Sequence, residues 1–371
     1  MRDLVGLDLP LGPQLFDELR RCYDRGEAVT VLDRRLRDPR RDEMLKVVAP
    51  TVIVDESGHR HPWEGLPVED GDGLVVTTSG TSGTPKAAIL TWAAVLASAE
   101  RTMTALQRER PTVWNACLPA THVGGFAVLA RALLTDASLY FGDPDDLASG
   151  ATNGATHVAV VRTQLHRADL SAYDVVLLGG GPPPAIRPAN VVTTWGMTET
   201  GSGVVYDGHP LPDVRLAERD GEILVASPTL LRAYRHSSAP FITGPDGADD
   251  WFPTGDAGTF ENGRLTIRGR MGYVITTGGE KVWPEDVEGA LRTLPDIDDV
   301  AVAGANDDEW GQRIVAFVVT SSLDDALWDK CRDAATTALG PWAKPKEFRR
   351  VAALPRTSNG KLRRDEIARW V

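Results

Sequence analysis

The amino-acid sequence predicts an α/β protein divided into two or more domains. Its 371 residues are 42% apolar and include ten tryptophans, enough to bury a large core. Through the first half of the chain, apolar strand segments alternate with helical segments, which is the pattern of parallel β-α units. From Val214 to Phe260 the pattern changes to short strands and turns. We therefore expect α/β layers followed by a small β-rich subdomain.

Composition limits the classes of function. The formal net charge of -12 and the acidic isoelectric point argue against a nucleic-acid partner, because binding a phosphate backbone needs a basic face. No apolar run reaches the ~18 residues of a membrane span, and the N-terminus does not have the pattern of a signal peptide. The cysteines lie far apart and indicate neither a zinc site nor a disulfide framework: Cys22, Cys117 and Cys331. A soluble cytoplasmic protein without membrane insertion is expected.

The N-terminal segment, residues 1–70, predicts a helix at Gln14–Arg25 and shows no recognisable chemistry. A polar, glycine-rich stretch then follows the apolar run Leu74–Val76, and a helical pattern begins near Thr91. We predict a strand, a loop and a helix, with the loop turning N–H groups and hydroxyls towards one point and Lys86 at its far end. This arrangement suits a polyphosphate, although the loop lacks the Gly-Lys-Ser/Thr of a Walker A motif. A flexible linker is the alternative, disfavoured by the apolar segments on both sides.

The periodicity of the next segments predicts regular elements in order. They are a helix at Trp92–Leu106, strands at Val113–Leu118, His157–Val161 and Val175–Leu178, and a helix at Thr163–Leu170. A loop with His122 and Gly124 follows the first of these strands, at a strand end where α/β folds bind ligands. A structural histidine is the alternative. The turn at Gly179–Gly181 follows the last strand, and its missing side chains would let a flat ring approach the backbone.

Two acidic side chains stand out in later segments. Trp195, Gly196, Thr198 and Glu199 follow a predicted strand, and Mg²⁺ prefers such a single carboxylate together with phosphate oxygens and water. A surface glutamate is the alternative interpretation. Asp256 ends a Pro-Thr-Gly-Asp sequence, and its two acceptor oxygens match a vicinal diol.

The last hundred residues combine strands and helices. A glycine turn at Gly278–Gly279 precedes a helix that Pro284 begins, with acidic residues in its first turn. Strands are predicted at Val300–Ala303 and Ile314–Val319, and a helix at Leu323–Leu339. Lys361 follows an Asn-Gly turn, where a lysine is usually only solvated.

In this order, the motifs between residues 77 and 361 resemble those of the acyl-adenylate-forming (ANL) superfamily. This superfamily contains the acyl-CoA synthetases, the luciferases and the adenylation domains of peptide synthetases. The resemblance implies catalytic roles for Lys361, Thr198, Glu199 and Lys86, with Glu199 as the metal ligand. It implies that the nucleotide is bound by Thr77, Thr78, Ser79, Gly80, Thr81, Ser82, Gly83, Thr84, Gly179, Gly180, Trp195, Gly196, Asp256 and Arg270.

The resemblance also implies a domain organisation. A large N-terminal domain of α/β layers, residues 1–269, carries the β-rich subdomain, and a small mobile α+β domain spans residues 270–371. Gly272 occupies the hinge position, where relatives commonly carry Asp or Lys, and Pro253 replaces a frequent Arg. The implied acyl pocket contains His122, Gly124, Gly181 and Arg162, and the implied CoA side contains Gly278 and Gly279.

The implied reaction joins a small-molecule carboxylic acid to a thiol, with ATP, Mg²⁺ and CoA as cofactors and co-substrates. The glycine turn and the sequence around it resemble most the 2-succinylbenzoate–CoA ligases of menaquinone synthesis, particularly their short form. The alternatives are another aryl- or acyl-CoA ligase, an adenylation domain that loads a carrier protein, and an inactive nucleotide-binding regulator. A homodimer is compatible with the sequence.

Overall fold

The computed structural model describes residues 1–78, 86–181, 184, 186–321, 326–356 and 362–371. The chain folds into two compact units. Unit 1 comprises Met1–Leu216 and Val225–Phe252, and unit 2 comprises Ala217–Leu224 and Pro253–Val371. The α/β class with a large N-terminal and a small C-terminal part is confirmed, whereas the domain boundary after residue 269 stays a prediction.

The helices of the described residues are α1 (Pro13–Asp24), α2 (Arg40–Val48), α3 (Trp92–Leu106), α4 (Val123–Leu134), α5 (Leu147–Thr152), α6 (Arg162–Arg167), α7 (Pro284–Leu291), α8 (Ala326–Leu339) and α9 (Arg364–Ile367). Pro284 begins α7 and is followed by Glu285 and Asp286 in the first turn, as predicted. Thr91 caps α3, because its hydroxyl accepts a hydrogen bond from the N–H of Ala94.

The strands of the described residues up to Ser238 are β1 (Leu4–Leu7), β2 (Ala28–Val31), β3 (Val52–Val54), β4 (Arg60–Pro62), β5 (Asp72–Thr78), β6 (Lys86–Thr91), β7 (Val113–Asn115), β8 (Ser138–Tyr140), β9 (His157–Val161), β10 (Val175–Gly179), β11 (Val191–Met197), β12 (Ser202–Tyr206), β13 (His209–Pro210), β14 (Arg215–Arg219), β15 (Glu222–Ala226), β16 (Ala233–Tyr234) and β17 (Ser237–Ser238). The remaining strands are β18 (Phe252–Glu261), β19 (Arg264–Arg270), β20 (Ile275–Thr277), β21 (Glu280–Val282), β22 (Asp299–Asp307), β23 (Gly311–Val319) and β24 (Glu347–Arg350).

The first sheet of unit 1 has the order β17-β16-β6-β5-β2-β1-β3-β4. Its middle strands are parallel, whereas β5 and β6 run antiparallel as neighbours. The predicted strand–loop–helix is therefore wrong in one respect, since a strand and not a helix follows the loop. The sequence pattern did not distinguish β6 from α3, because the apolar residues Ala87–Leu90 come almost directly before the alanine-rich start of the helix.

The second sheet of unit 1 has the order β13-β12-β11-β10-β9-β7-β8. Strands β9, β10 and β11 are parallel neighbours, which confirms the predicted β-α units. The apolar residues of β9 and β10 are buried in one cluster that includes Val158, Val160, Val176 and Leu178. Because parallel strands end at the same edge, the turns after β9, β10 and β11 lie side by side.

A buried cation packs against this second sheet. The Arg131 side chain, on α4, is 1% exposed, and its guanidinium carbon lies 4.5 Å from the ring centre of Trp114. Its Nη2 donates to Ser202 Oγ at 3.3 Å, while Nε and Nη1 have no hydrogen-bond partner among the described residues. Burial lowers the pKa of the Arg131 guanidinium. A cavity of about 10 Å³ borders Arg131, Ser98 and Gly201, room for about one water molecule.

Most of the four-stranded sheet β14-β15-β18-β19 belongs to unit 2, and it forms the predicted β-rich segment. A five-stranded sheet follows, with the order β21-β20-β23-β22 and β24 parallel to β23. Helices α7 and α8 cover one face of it around Val287, Leu291, Leu327 and Cys331. In the described part of the chain, no helix is both long enough and apolar enough to span a bilayer.

Candidate active site

The predicted phosphate-binding motif begins at the end of β5 and ends at the start of β6. Thr77 and Thr78 end β5, half-buried, and Lys86 begins β6, exposed to solvent. Thr78 pairs directly with Lys86 across the ladder, so the two ends of the motif are neighbours. The other predicted members, Ser79, Gly80, Thr81, Ser82, Gly83 and Thr84, lie outside the described residues.

A glycine turn follows β10, as predicted. A Cβ atom on Gly179 would lie 3.2 Å from Thr194 Cγ2, so a larger residue would press on β11. Gly180 has a φ of 87°, a conformation that glycine adopts without a steric penalty. Gly180 and Gly181 are exposed, so the backbone is accessible at this sheet edge.

Strand β11 carries Trp195 and Gly196 to the same edge. The pairing of β11 with β12 shifts between these two residues, which makes a β-bulge. A Cβ atom on Gly196 would lie 2.2 Å from the Ser202 carbonyl oxygen, so only glycine fits there. The chain then makes a single 3₁₀ turn, Thr198–Thr200. This turn is stabilised by a hydrogen bond from the Met197 N–H to Thr200 Oγ1.

Glu199 lies on this turn and contacts Tyr234, which in turn contacts Lys86. Its Oε1 accepts a hydrogen bond from Tyr234 Oη at 3.0 Å, and Lys86 Nζ lies 5.1 Å from the centre of the Tyr234 ring. Within the described residues, Glu199 Oε2 has no hydrogen-bond donor. The structure therefore brings together two predicted residues, Lys86 and Glu199, through a third that sequence reasoning missed.

No sequence signal could have found Tyr234. It lies on the two-residue strand β16, far along the chain from both partners, in a segment whose pattern indicated only strands and turns. Antiparallel pairing with β6 places Tyr234 opposite Ala88. Long-range pairing of so short a strand cannot be read from periodicity.

The residues present fit a magnesium ion bound with a polyphosphate. The half-buried Glu199 offers one carboxylate oxygen that accepts no hydrogen bond from the described residues, and the tyrosine that binds its other oxygen also contacts Lys86. No group of three or more His, Cys, Asp or Glu side chains suited to a metal occurs in the described ranges. A single carboxylate completed by phosphate oxygens and water is the usual Mg²⁺ environment in phosphoryl-transfer enzymes.

The predicted acyl-pocket residues His122 and Gly124 are half-buried at the start of α4. His122 is the N-cap, and Gly124 lies within the first turn, so the predicted glycine loop is wrong and a helix begins there. A Cβ atom on neighbouring Gly125 would lie 2.2 Å from the Pro119 carbonyl oxygen, which explains one of the glycines by packing. Arg162 begins α6, directly after β9 and half-buried.

In unit 2, Asp256 and Arg270 form an ion pair. Antiparallel β18 and β19 pair them across the ladder, and Arg270 Nε lies 2.9 Å from Asp256 Oδ1. Arg270 Nη1 also donates to the Thr254 carbonyl oxygen at 2.6 Å. Gly255, with a φ of 70°, leaves room for this guanidinium, because a Cβ there would lie 3.2 Å from Nη1.

The remaining predicted residues of unit 2 follow β19. Gly272 is exposed in a 3₁₀ turn, Met271–Tyr273, and the Tyr273 hydroxyl donates to Asp365 at 2.8 Å. Gly278 and Gly279 form the exposed two-residue turn between β20 and β21, with φ values of 59° and 86°. Two successive positive φ angles suit a tight hairpin and favour glycine at both positions. Lys361 lies outside the described residues.

Family models of known enzymes match two parts of the chain. The AMP-binding enzyme family model matches residues 17–235, more than half of the chain, and that of the AMP-binding enzyme C-terminal domain matches residues 286–361. A probable 2-succinylbenzoate–CoA ligase of Mycobacterium tuberculosis (strain ATCC 25618 / H37Rv) is 37% identical over 335 residues, covering 82% of this chain and 86% of that protein. The 2-succinylbenzoate–CoA ligase of Bacillus cytotoxicus is 31% identical over 340 residues, covering 79% of this chain and 69% of that protein.

A solved structure shares the fold. The o-succinylbenzoate CoA synthetase (MenE) from Bacillus subtilis, in complex with the acyl-adenylate intermediate OSB-AMP, has a TM-score of 0.82 at 24% identity and covers 98% of this chain and 88% of that chain. The resemblance to the adenylate-forming enzymes is thereby confirmed. The chain belongs to the family of AMP-binding enzymes.

Proposed function

We propose that the protein is an ATP-dependent acid–thiol ligase that converts 2-succinylbenzoate, ATP and CoA to 2-succinylbenzoyl-CoA, AMP and pyrophosphate. The observation that supports the chemistry is that Tyr234 contacts both Lys86 and Glu199, a cation and a carboxylate, next to the predicted phosphate-binding motif. The identity of the acid rests on the sequence likeness to the 2-succinylbenzoate–CoA ligases.

In the first step, a carboxylate oxygen of the acid attacks the α-phosphorus of ATP. The bond from that phosphorus to the bridging oxygen breaks, and pyrophosphate leaves with the electron pair. Negative charge gathers on the phosphoryl oxygens, so positioned donors and cations supply most of the catalysis. Lys86, Thr198 and Lys361 act as these donors, while Glu199 holds the Mg²⁺ that, when bound, neutralises phosphate charge.

In the second step, the CoA thiolate attacks the acyl carbon and AMP leaves with the electron pair. The Gly278–Gly279 hairpin exposes backbone without side chains, which suits the close approach of a thin pantetheine arm. Rotation about Gly272 between the steps would let Lys361 serve adenylation and the hairpin serve thioester formation. Glycine gives the freedom in φ and ψ that such a hinge needs.

The second carboxylate of 2-succinylbenzoate needs a partner, because an unpaired buried charge costs several kcal/mol. Arg162 is the residue we propose. It begins α6 directly after β9, at the sheet edge that also carries Gly179–Gly181. In this role it would fix the acid by its distal end and leave the other carboxylate free to react.

A panel of carboxylic acids tests the substrate. We expect 2-succinylbenzoate to give AMP release that depends on both ATP and CoA, and Arg162→Ala to raise its KM while sparing benzoate-like monocarboxylic acids. Failure of 2-succinylbenzoate, with good turnover of a monocarboxylic aryl acid, would refute the assignment. Pyrophosphate exchange measured with and without CoA separates this ligase from an adenylation domain that loads a carrier protein.

We further propose a cytoplasmic location and a homodimeric assembly. The three cysteines of the chain are buried free thiols, which supports a reducing compartment. Light scattering of the purified protein tests the assembly.

A further inference from the structure

The contact between Tyr234 and Glu199 joins two rigidly placed segments. The backbone before and after Tyr234 is bound to β6, since the N–H of Arg232 donates to the Ile89 carbonyl and that of Arg235 to the Ala87 carbonyl. Arg232 is itself held by Asp72, through two hydrogen bonds of 2.8 Å. The backbone from which the Tyr234 side chain projects is therefore held in place on the sheet that carries Lys86.

The backbone of Glu199 is tied to the same segment. Its carbonyl oxygen accepts a hydrogen bond from the N–H of Leu231 at 2.8 Å, three residues before Tyr234. Backbone and side chain of Glu199 are thus both bound to residues 231–234, which limits the rotamers of its carboxylate. Fixing such a side chain before binding removes an entropic cost that the ligand would otherwise bear.

The hydroxyl and the ring of Tyr234 make different contacts. The hydroxyl donates to Glu199 Oε1, which leaves Oε2 as the oxygen without a described donor. The ring centre lies 5.1 Å from Lys86 Nζ, within the range of a cation–π contact. Tyrosine supplies both contacts, whereas phenylalanine would supply only the second.

We propose that Tyr234 is the positioning residue of the magnesium and polyphosphate site, orienting Glu199 Oε2 towards the metal through its hydroxyl and Lys86 towards the phosphates through its ring. This inference rests on the proposed function of Glu199 and Lys86. It gives Tyr234 no contact with substrate, so its effects are exerted through those two side chains.

Equilibrium binding tests the hydroxyl without requiring turnover. Binding of ATP is measured by calorimetry across a series of Mg²⁺ concentrations, in the absence of any carboxylic acid, for the wild type, Tyr234→Phe and Tyr234→Leu. We expect Tyr234→Phe to raise the Mg²⁺ concentration for half-maximal binding about tenfold, as for loss of one hydrogen bond to a charged group. Binding of ATP without Mg²⁺ should be unchanged in this variant.

Tyr234→Leu tests the ring. Beyond the effect of Tyr234→Phe, it should weaken binding of metal-free ATP by roughly a further two- to fivefold, the range of an exposed cation–π contact. The matched control is Tyr173→Phe, which removes a buried hydroxyl that donates to the Leu147 carbonyl oxygen at 2.6 Å, away from both partners. That variant should lower the thermal midpoint and leave the Mg²⁺ dependence of ATP binding unchanged.

A double-mutant cycle decides whether the hydroxyl acts through Glu199. In a Glu199→Gln background, Tyr234→Phe should have no further effect on the Mg²⁺ dependence. An unchanged Mg²⁺ dependence in Tyr234→Phe, or an equal shift in the Glu199→Gln background, would overturn the inference. If the wild type itself binds no Mg-ATP, the proposed function fails first, and the two failures are thereby distinguished.

Discussion

Glu199 in unit 1 and Asp256 in unit 2 are both acidic residues assigned to ATP, but their electrostatic surroundings differ. The described contact of the Glu199 carboxylate is with a neutral tyrosine hydroxyl. Asp256 is paired with the Arg270 guanidinium at 2.9 Å, and its side chain is 13% exposed. Glu199 thus makes no ion pair with the described residues, whereas Asp256 is paired with a cation.

This difference matches the ligands that the two residues are proposed to hold. A metal cation needs an uncompensated carboxylate, because Coulomb attraction is what holds it. A ribose diol is neutral and needs well-oriented acceptors, which a carboxylate fixed by an arginine provides without attracting competing cations. The neighbouring side chain, more than the carboxylate itself, therefore distinguishes the two roles.

Besides Asp256, unit 2 carries Lys361, which we predict to act in adenylation. Lys361→Ala should lower acyl-AMP formation about 10²–10³-fold, because it removes a cation from the first transition state. The same variant should still convert supplied acyl-AMP and CoA to the thioester. Pyrophosphate release and thioester formation are measured separately.

Gly279→Leu should show the opposite pattern, with pyrophosphate release largely intact and thioester formation impaired. Gly279→Ala, which introduces the same positive-φ strain with little added bulk, is its control. Equal loss of both half-reactions in Lys361→Ala and Gly279→Leu, with folding verified, would refute separate roles for the two segments.

Removing the uncompensated charge should have the next largest effect. Glu199→Gln keeps the shape and the acceptor for Tyr234 but loses the charge, so we expect kcat/KM for Mg-ATP to fall about 10²-fold. The thermal midpoint should hardly change, because the side chain is half-buried and makes no ion pair in the described residues. Adenylation at the wild-type rate would contradict the metal-binding role.

The compensated carboxylate should give a smaller effect that depends on the ribose. Asp256→Ala should raise the KM for ATP, and the wild type should use 2′-deoxy-ATP roughly 10–100-fold less well, as for loss of one hydrogen bond to a charged group. The Asp256→Ala variant should discriminate little between the two nucleotides. Equal use of both nucleotides by the wild type would mean that Asp256 does not read the diol.

A third carboxylate, Glu285, is also paired with an arginine and shows whether such a pair stabilises the fold. Glu285 lies 3.0 Å from Arg364, yet burial outweighs the arginine and raises the pKa of the Glu285 carboxyl above its value of 4.5 in the unfolded chain. The folded state then binds more protons than the unfolded state above about pH 4.5, so this group lowers stability as the pH rises.

Glu285→Gln should therefore increase the free energy of unfolding near pH 7 relative to the wild type. The gain should shrink as the pH is lowered towards about 4.5, where the wild-type carboxyl becomes protonated. Urea denaturation at both pH values measures the difference. A gain that is independent of pH would show that ionisation of the buried Glu285 carboxyl does not lower the stability.

Much of this architecture could be predicted from periodicity. The prediction matched β9 and α3 at both ends, because each is a single uninterrupted pattern bounded by polar residues or turns. The start of α4 and the presence of β6 could not be predicted, since glycines in a first helical turn resemble a loop and a short apolar strand resembles the helix that follows it.

The site residues divide in the same way. Glu199 and Asp256 stood out by their local sequences, whereas Tyr234 and the Arg270–Asp256 pair depend on strands that are brought together only by the fold. Local sequence thus indicated the proposed ligands of ATP, whereas the charged groups that surround them depend on how the strands pair. The assignment of each residue to its ligand stays a prediction until the variants are measured.

The buried guanidinium of Arg131 has a consequence for how this sequence can change over evolution. Its neighbours Trp114 and Ser202 face a cation that no carboxylate of the described residues neutralises, so each of them contributes to tolerating the charge. Substituting Trp114 or Ser202 alone should be costly, whereas the same substitutions should become nearly neutral once an apolar residue replaces Arg131. Substitutions at Arg131, Trp114 and Ser202 should therefore depend on one another. The arginine should be replaced first, because only then do the other two positions become free to change.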